Sequence, residues 1–174
     1  MATAYELGGE WNDSQSPALA TRAGGTAPTF AAVNGGIFAL RFATNDEVHG
    51  SLQLPHSAIP GGELRLHVHF TTATAPTSTE TVIWSMEYSI AAVNGTFPAP
   101  STVTGTYTFA DTTALVHRVQ ALTAVVTMPS PAQSSIVMFR CYRSGGTSGV
   151  APFLLSADGH FQQGSYGTTA EYPA

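Results

Sequence analysis

Two histidines one residue apart form the pattern in this sequence that is best suited to chemistry. His67 and His69 lie in an alternating stretch, and residues i and i+2 of a β-strand leave the same face about 7 Å apart. Imidazole pairs with this spacing occur in zinc, iron and copper sites. Asp158 and His160 have the same spacing. A metal site with three or four ligands from two adjacent strands is therefore one interpretation of these residues.

The alternative interpretation gives the same side chains a structural role, as hydrogen-bonded groups on a half-buried sheet face or in a contact between subunits. No third ligand follows the His-x-His pair at a short fixed spacing, and motifs this short often match by chance. We therefore predict no bound metal and no cofactor. The residues expected near subunit contacts are His67, His69, Asp158 and His160.

Signatures of nucleophilic catalysis are missing from the sequence. It has no Gly-x-Ser-x-Gly motif, and Cys141 lies in a predicted strand, where a lone cysteine is typically a small core residue. Scattered carboxylates would allow an acid pair of the glycosidase type, but their pattern is more typical of solvated strand faces. Those carboxylates are Glu63, Glu80, Glu87 and Asp158. We predict that the protein is not an enzyme and has no catalytic residues.

The charge of the chain restricts its partners. Its 174 residues include six Lys and Arg together, none of them Lys, against eleven Asp and Glu, for a net charge of −5. So few cations cannot neutralise a run of phosphates, so we expect no nucleic-acid partner. The sequence has no apolar run long enough to cross a bilayer and no secretory signal at its start, so we expect no membrane partner. A polar surface with few ions resists association poorly, which favours a protein covered by an assembly.

The elements that carry these residues are predicted to be β-strands. Glycine and proline interrupt the chain about every dozen residues, and β-branched and aromatic residues alternate between them, which is typical of an all-β sandwich or barrel. The predicted strands are 36–42, 48–54, 63–71, 81–91, 102–109, 115–128 (long and bent), 135–143 and 153–167. Residues 1–30 are predicted to be an N-terminal arm, mostly loop, and residues 31–174 a single domain.

The order of several short segments resembles a family of small tailed-phage virion proteins. The resemblance extends over about residues 48–165. The segments that carry it are Leu54-Pro55-His56, His67-Val68-His69-Phe70, Trp84-Ser85-Met86-Glu87-Tyr88, Asn94-Gly95-Thr96-Phe97-Pro98 and Asp158-Gly159-His160-Phe161. It departs from the family pattern at Phe70, where Trp is frequent, and at Gly159, where a β-branched residue is expected. Asp158-Gly159 alone would indicate a hairpin turn, whereas the resemblance places it in the middle of a strand.

The resemblance implies an antiparallel two-sheet sandwich, jelly-roll-like, that assembles as a homotrimer on a phage particle. The expected function is structural: a capsid decoration or cement protein, made in the host cytoplasm, that contacts the major capsid protein or other virion proteins. One alternative is a tail or fibre module that recognises host surface glycans. Another is a metal-dependent, cupin-like enzyme that uses His67 and His69.

Overall fold

The computed structural model describes residues 10–164, which form two antiparallel β-sheets packed face to face. No α-helix occurs within these residues, and the one short 3-10 turn spans Ala18–Ala20. The strands are β1 (Glu10–Pro17), β2 (Arg22–Ala23), β3 (Thr29–Asn34), β4 (Ile37–Arg41), β5 (Glu47–Gln53), β6 (Glu63–Thr72), β7 (Thr81–Ala91), β8 (Ser101–Thr108), β9 (Arg118–Ala121), β10 (Val126–Thr127), β11 (Ile136–Gly145) and β12 (Pro152–Gln163).

The first sheet is built around two long neighbouring strands, β6 and β12. Two short strands, β9 and β10, pair with the far side of β6. Strands β1 and β4 pair with β12, and β3 pairs with β4 at the outer edge. The second sheet has the order β2-β5-β11-β7-β8. The chain crosses between the sheets from β5 to β6 and again from β6 to β7, so the fold is the predicted all-β, jelly-roll-like sandwich.

The core lies between the two sheets and follows the predicted alternation. Leu64, Leu66, Val68 and Phe70 of β6 are fully or almost fully buried and face the other sheet. Trp84 of β7 packs edge-on against Phe42 with ring centroids 5.2 Å apart. Because alternate side chains of a strand leave opposite faces, burying these residues places the histidines of β6 on the outer face of the sheet.

Gly159 lies in the middle of β12, opposite Leu66, as the resemblance implies. Its inner side faces the core, where a Cβ at this position would lie 2.8 Å from Cδ1 of Leu64. The absence of a side chain at 159 thus leaves room for the core leucines. Because neighbouring residues of a strand leave opposite faces, Asp158 and His160 lie on the outer face.

The prediction that the N-terminal residues are mostly loop is wrong for Glu10–Pro17 and Arg22–Ala23, which are strands. All eight residues of β1 pair with β12, from Glu10 opposite Gln163 to Pro17 opposite Ser156, and β2 pairs with β5. Within the described residues, Pro17, Gly24, Gly25 and Pro28 lie at or close to the ends of short strands. Residues 1–9 lie outside the described part of the chain, and so does the end of the last predicted strand, 165–167.

The predicted long strand 115–128 is also wrong, because it is divided into β9 and β10. Ala124, between the two strands, has a positive φ of 97°, a backbone conformation that ends regular pairing. Each piece pairs with a different end of β6: Val119 lies opposite His69, and Val126 lies opposite Leu64. The division brings the start of β9 alongside the outer face that carries the histidines.

Candidate functional site

A cluster of histidine and aspartate side chains lies on the outer face of the first sheet. The register of β6 and β12 places Asp158 directly opposite His67, and His69 follows on the same face of β6. Asp13 of β1 lies opposite His160 of β12. Four separate stretches of chain thus contribute to the cluster, since His117, just before β9, completes it.

Three of these side chains converge on one point. The Nε2 atoms of His67 and His69 are 3.0 Å apart. Oδ2 of Asp158 lies 3.2 Å from Nε2 of His69 and 3.8 Å from Nε2 of His67. All three atoms have lone pairs that would bind either a proton or a metal ion. We refer to His67, His69 and Asp158 as the convergent triad.

Neighbouring polar groups contact the outward-facing atoms of the triad. Nδ1 of His69 lies 2.7 Å from Nε2 of His117, and Nδ1 of His67 points at the carbonyl oxygen of Arg65, 3.5 Å away. The hydroxyl of Ser156 donates a short hydrogen bond to Oδ1 of Asp158. Each triad side chain therefore has a polar partner on the atom that does not face the convergence point.

His160 and Asp13 form a more exposed pair beside the triad. Nε2 of His160 lies 2.6 Å from Oδ1 of Asp13, and the ring centroids of His160 and His67 are 4.1 Å apart. Both side chains of the pair are nearly half exposed to solvent. The pair covers one side of His67 and so contributes to the burial of the triad.

Burial sets the protonation of the two triad histidines. The side chains of His67 and Asp158 are only 4% and 2% exposed. Burial lowers the pKa of His67 below its ordinary value, and the neighbouring His160 lowers it further. Burial also lowers the pKa of His69, although the carboxylate of Asp158 acts in the opposite direction. Both imidazoles consequently favour the neutral form, which is the form that binds metals.

The structure brings together all four histidine and aspartate residues that the sequence placed near subunit contacts. His67 and Asp158 are covered by their own chain, so direct contact with a second subunit is limited to His69 and His160. For these two, a subunit contact stays a prediction. The sequence analysis missed His117 and Asp13, because each lies more than 40 residues from its partner in the cluster and no local pattern connects them.

Other residues considered at the sequence level lie elsewhere and have their own partners. Glu63 pairs with Arg65 at 2.9 Å, Glu87 lies 3.3 Å from Arg140, and Glu80 accepts a backbone hydrogen bond from Thr77. These three carboxylates are thus occupied by separate neighbours.

Cys141 is fully buried in the core, as expected. Burial raises the pKa of its thiol to about 12. The thiol is therefore neutral at physiological pH and is not a nucleophile in the folded protein.

Comparisons with known proteins leave the family open. No family model matches the sequence, and no curated protein matches it. Within residues 10–164, no helix is long and apolar enough to cross a membrane.

Solved structures with a general likeness include viral and carbohydrate-binding proteins. A structure of infectious bursal disease virus, Gx strain, matches 91% of this chain and 33% of its own at 13% identity and a TM-score of 0.37. The CBM22-1–GH10 modules of xylanase 10B from Clostridium thermocellum match 90% of this chain and 27% of theirs, at 12% identity and a TM-score of 0.40. The enzymatically active domain of tailspike protein 4 from bacteriophage CBA120 matches 87% of this chain and 20% of its own, at 14% identity and a TM-score of 0.32.

This chain spans a third or less of the length of each of these three chains.

Proposed function

We propose that this protein is a structural virion protein, a homotrimer that decorates and stabilises the head of a tailed bacteriophage. The observation that carries the proposal is an apolar hairpin, formed by β3 and β4, that extends past the core. The resemblance of the central segments to small phage virion proteins supports the same function. Contact with the major capsid protein, or with other virion proteins, is part of the proposal.

One face of the hairpin is apolar, like a protein interior, but it is largely exposed to solvent. Leu40 lies on this face and packs against the core. Phe38, two residues earlier, shares its face, and Phe30 lies directly opposite Leu40. Phe30 is nevertheless 59% exposed and Phe38 46% exposed, with their rings 5.4 Å apart. The apolar face therefore continues beyond the opposite sheet into solvent.

The edge of the hairpin is also open to association. Strand β3 is the outermost strand of its sheet among the described residues, and it pairs only with β4. Edge strands in soluble proteins are usually protected by charged residues or prolines. Between residues 29 and 41 the only charged residue is Arg41, and the stretch has no proline. The edge thus lacks the usual protection against pairing with a second chain.

A second copy of this chain is the partner that best matches the hairpin. Burial of a phenylalanine side chain stabilises an association by about 1.5–3 kcal/mol. Three copies related by a threefold axis would cover three identical apolar hairpins at once and leave none exposed. Charge repulsion between the copies would be weak, because only 10% of the residues are charged.

Oligomeric state is the direct test of the trimer. Light scattering on the purified full-length protein is expected to give three times the mass of the chain, and the Phe30→Ser, Phe38→Ser double variant is expected to be a monomer. The matched control is Met138→Ser on the second sheet, which also removes an exposed apolar side chain, 45% exposed, and should leave the trimer intact. A monomeric wild-type protein at micromolar concentration would overturn the proposal.

The place of the protein on the particle is tested with purified virions. A decoration protein is expected in hundreds of copies, and particles without it should still adsorb to the host but rupture sooner on heating. A handful of copies, together with loss of adsorption, would instead support a tail or fibre module.

A further inference from the structure

We propose that the convergent triad His67, His69 and Asp158 binds one divalent transition-metal ion, with Zn²⁺ the ion that fits its donor atoms. The sequence analysis favoured a structural interpretation of these residues, and the case for a metal comes from their arrangement in space. The proposal is independent of the proposed virion function, because it concerns a site within a single chain.

The spacing of the three donor atoms matches a metal site. Zinc bonds to imidazole nitrogen or carboxylate oxygen at about 2.0–2.2 Å, so two ligand atoms of a tetrahedral site lie about 3.3 Å apart. The three separations within the triad are 3.0, 3.2 and 3.8 Å. Two imidazole nitrogens and one carboxylate oxygen form a common ligand set of zinc sites, in which a fourth position holds water or another side chain.

The groups behind the donors have the arrangement typical of metal ligands. A metal-binding histidine usually donates its other ring N–H to a carbonyl, a carboxylate or another acceptor, which fixes its orientation. In His67 that second nitrogen points at the Arg65 carbonyl oxygen. In His69 it contacts His117, and the second oxygen of Asp158 accepts from Ser156. The rotamers of the three ligands are therefore held in place before any metal arrives.

The charge balance of the site also favours a cation. Asp158 is a carboxylate with a 2% exposed side chain, and a buried charge needs an opposite charge or a metal nearby. Its close polar contacts within residues 10–164 are the Ser156 hydroxyl and the two triad imidazoles. A divalent ion bound between the three donor atoms would compensate the charge of this carboxylate.

A second group of possible ligands lies beside the triad but fits less well. Asp13, His67 and His160 also have donor atoms within 4.8 Å of one another. Asp13 and His160 are nearly half exposed and already bond to each other at 2.6 Å. Both groups contain His67, so a single ion would bind to one of them. Burial and the short His67–His69 distance assign the ion to the triad.

Zinc binding tests the proposal on the full-length protein. The protein is stripped with a chelator, dialysed, and titrated with ZnCl₂ in a calorimeter, and the bound metal is measured by elemental analysis. We expect one equivalent of zinc per chain and a higher melting temperature in its presence. A folded wild-type protein that retains no stoichiometric zinc would overturn the proposal.

Variants assign the site to its residues. His69→Ala is the principal variant because His69 is the most exposed member of the triad, and Asp158→Asn is a second variant that keeps the size of the side chain. Both should lose stoichiometric zinc while circular dichroism shows a folded sandwich. His49→Ala is the matched control, since it removes a histidine from the other sheet, and it should bind zinc as the wild type does. Zinc retained in His69→Ala but lost in His160→Ala would assign the ion to the exposed group and overturn the proposal.

His117 is expected to act as a positioning residue for His69. Replacing such an outer partner typically weakens metal affinity about 10–100-fold without removing a ligand. His117→Ala should therefore bind one equivalent of zinc more weakly, and the Co²⁺-substituted variant should keep the wild-type absorption bands. An unchanged zinc affinity would show that His117 does not position the site.

Discussion

Glu47 is the residue at which a single carboxylate joins three parts of the chain. From β5, its Oε1 accepts the backbone N–H of Gly25 at 2.6 Å. Its Oε2 accepts a short hydrogen bond from Nε of Arg140 on β11, and Arg140 also reaches Glu87 on β7 at 3.3 Å. The Gly25 N–H, and secondly Arg140, hold the pKa of Glu47 below its ordinary value.

Replacing Glu47 by Gln is expected to destabilise the protein at neutral pH by about 1 kcal/mol, because hydrogen bonds to a charged group are stronger than those to an amide. The lowered pKa also gives a pH dependence. The stabilisation is present above the ordinary pKa of glutamate, near 4.5, and is lost as the pH falls through the lower pKa of the folded state. Urea unfolding between pH 7 and pH 3 should show a shallower decline in the variant than in the wild type.

Glu63→Gln is the control for this experiment. Glu63 pairs with Arg65 in a solvent-exposed ion pair, and such pairs contribute little to stability. The unfolding free energy of the Glu63→Gln variant at neutral pH should stay close to that of the wild type. Equal pH dependence in Glu47→Gln and the wild type would contradict the role assigned to Glu47.

Among the secondary-structure elements, β1 most changes the interpretation of the sequence. Its eight residues pair with β12 along the half that carries Asp158 and His160. It also places Asp13 opposite His160 and brings Trp11 against the guanidinium of Arg65, 4.8 Å from the ring centroid. Strand β1 therefore supports the histidine cluster from one side, as β9 does from the other.

Hydrogen exchange measures whether β1 is part of the sheet. In an antiparallel edge strand about half of the amides point toward the partner strand and are hydrogen-bonded. We expect that half of the amides of residues 10–17 to exchange about as slowly as those of β12, and the other half rapidly. The loop residues 73–75, which follow β6, are the internal reference for fast exchange. Uniformly fast exchange across residues 10–17 would instead support the loop predicted from the sequence.

For the whole molecule, the main consequence of the fold is an apolar surface that one chain leaves uncovered. If three chains cover it, folding and association are linked, and a partner that binds only the folded state raises the melting temperature with concentration. We expect the melting temperature of the wild type to rise over a hundredfold increase in protein concentration. Differential scanning calorimetry should show no such rise in the Phe30→Ser, Phe38→Ser variant, and a wild-type melting temperature independent of concentration would contradict the trimer.

The sequence by itself determined the fold class and, in the clearly alternating strands, the face on which each residue lies. In β6, apolar residues at 64, 66, 68 and 70 alternate with polar ones, and only one register buries the apolar set. That alternation also placed His67 and His69 together on the outer face. Local patterns of this kind are readable because a strand repeats every two residues.

The tertiary structure alone decided which strands are neighbours and therefore what meets at the site. Asp158 lies opposite His67, although 91 positions separate them in the sequence. Asp13 lies in β1, and His117 directly precedes β9. Residues 10–17 have a loop-like sequence but form a strand, because they pair with the free edge of β12. Pairing between distant segments depends on the packing of the whole chain, so no local pattern in the sequence encodes it.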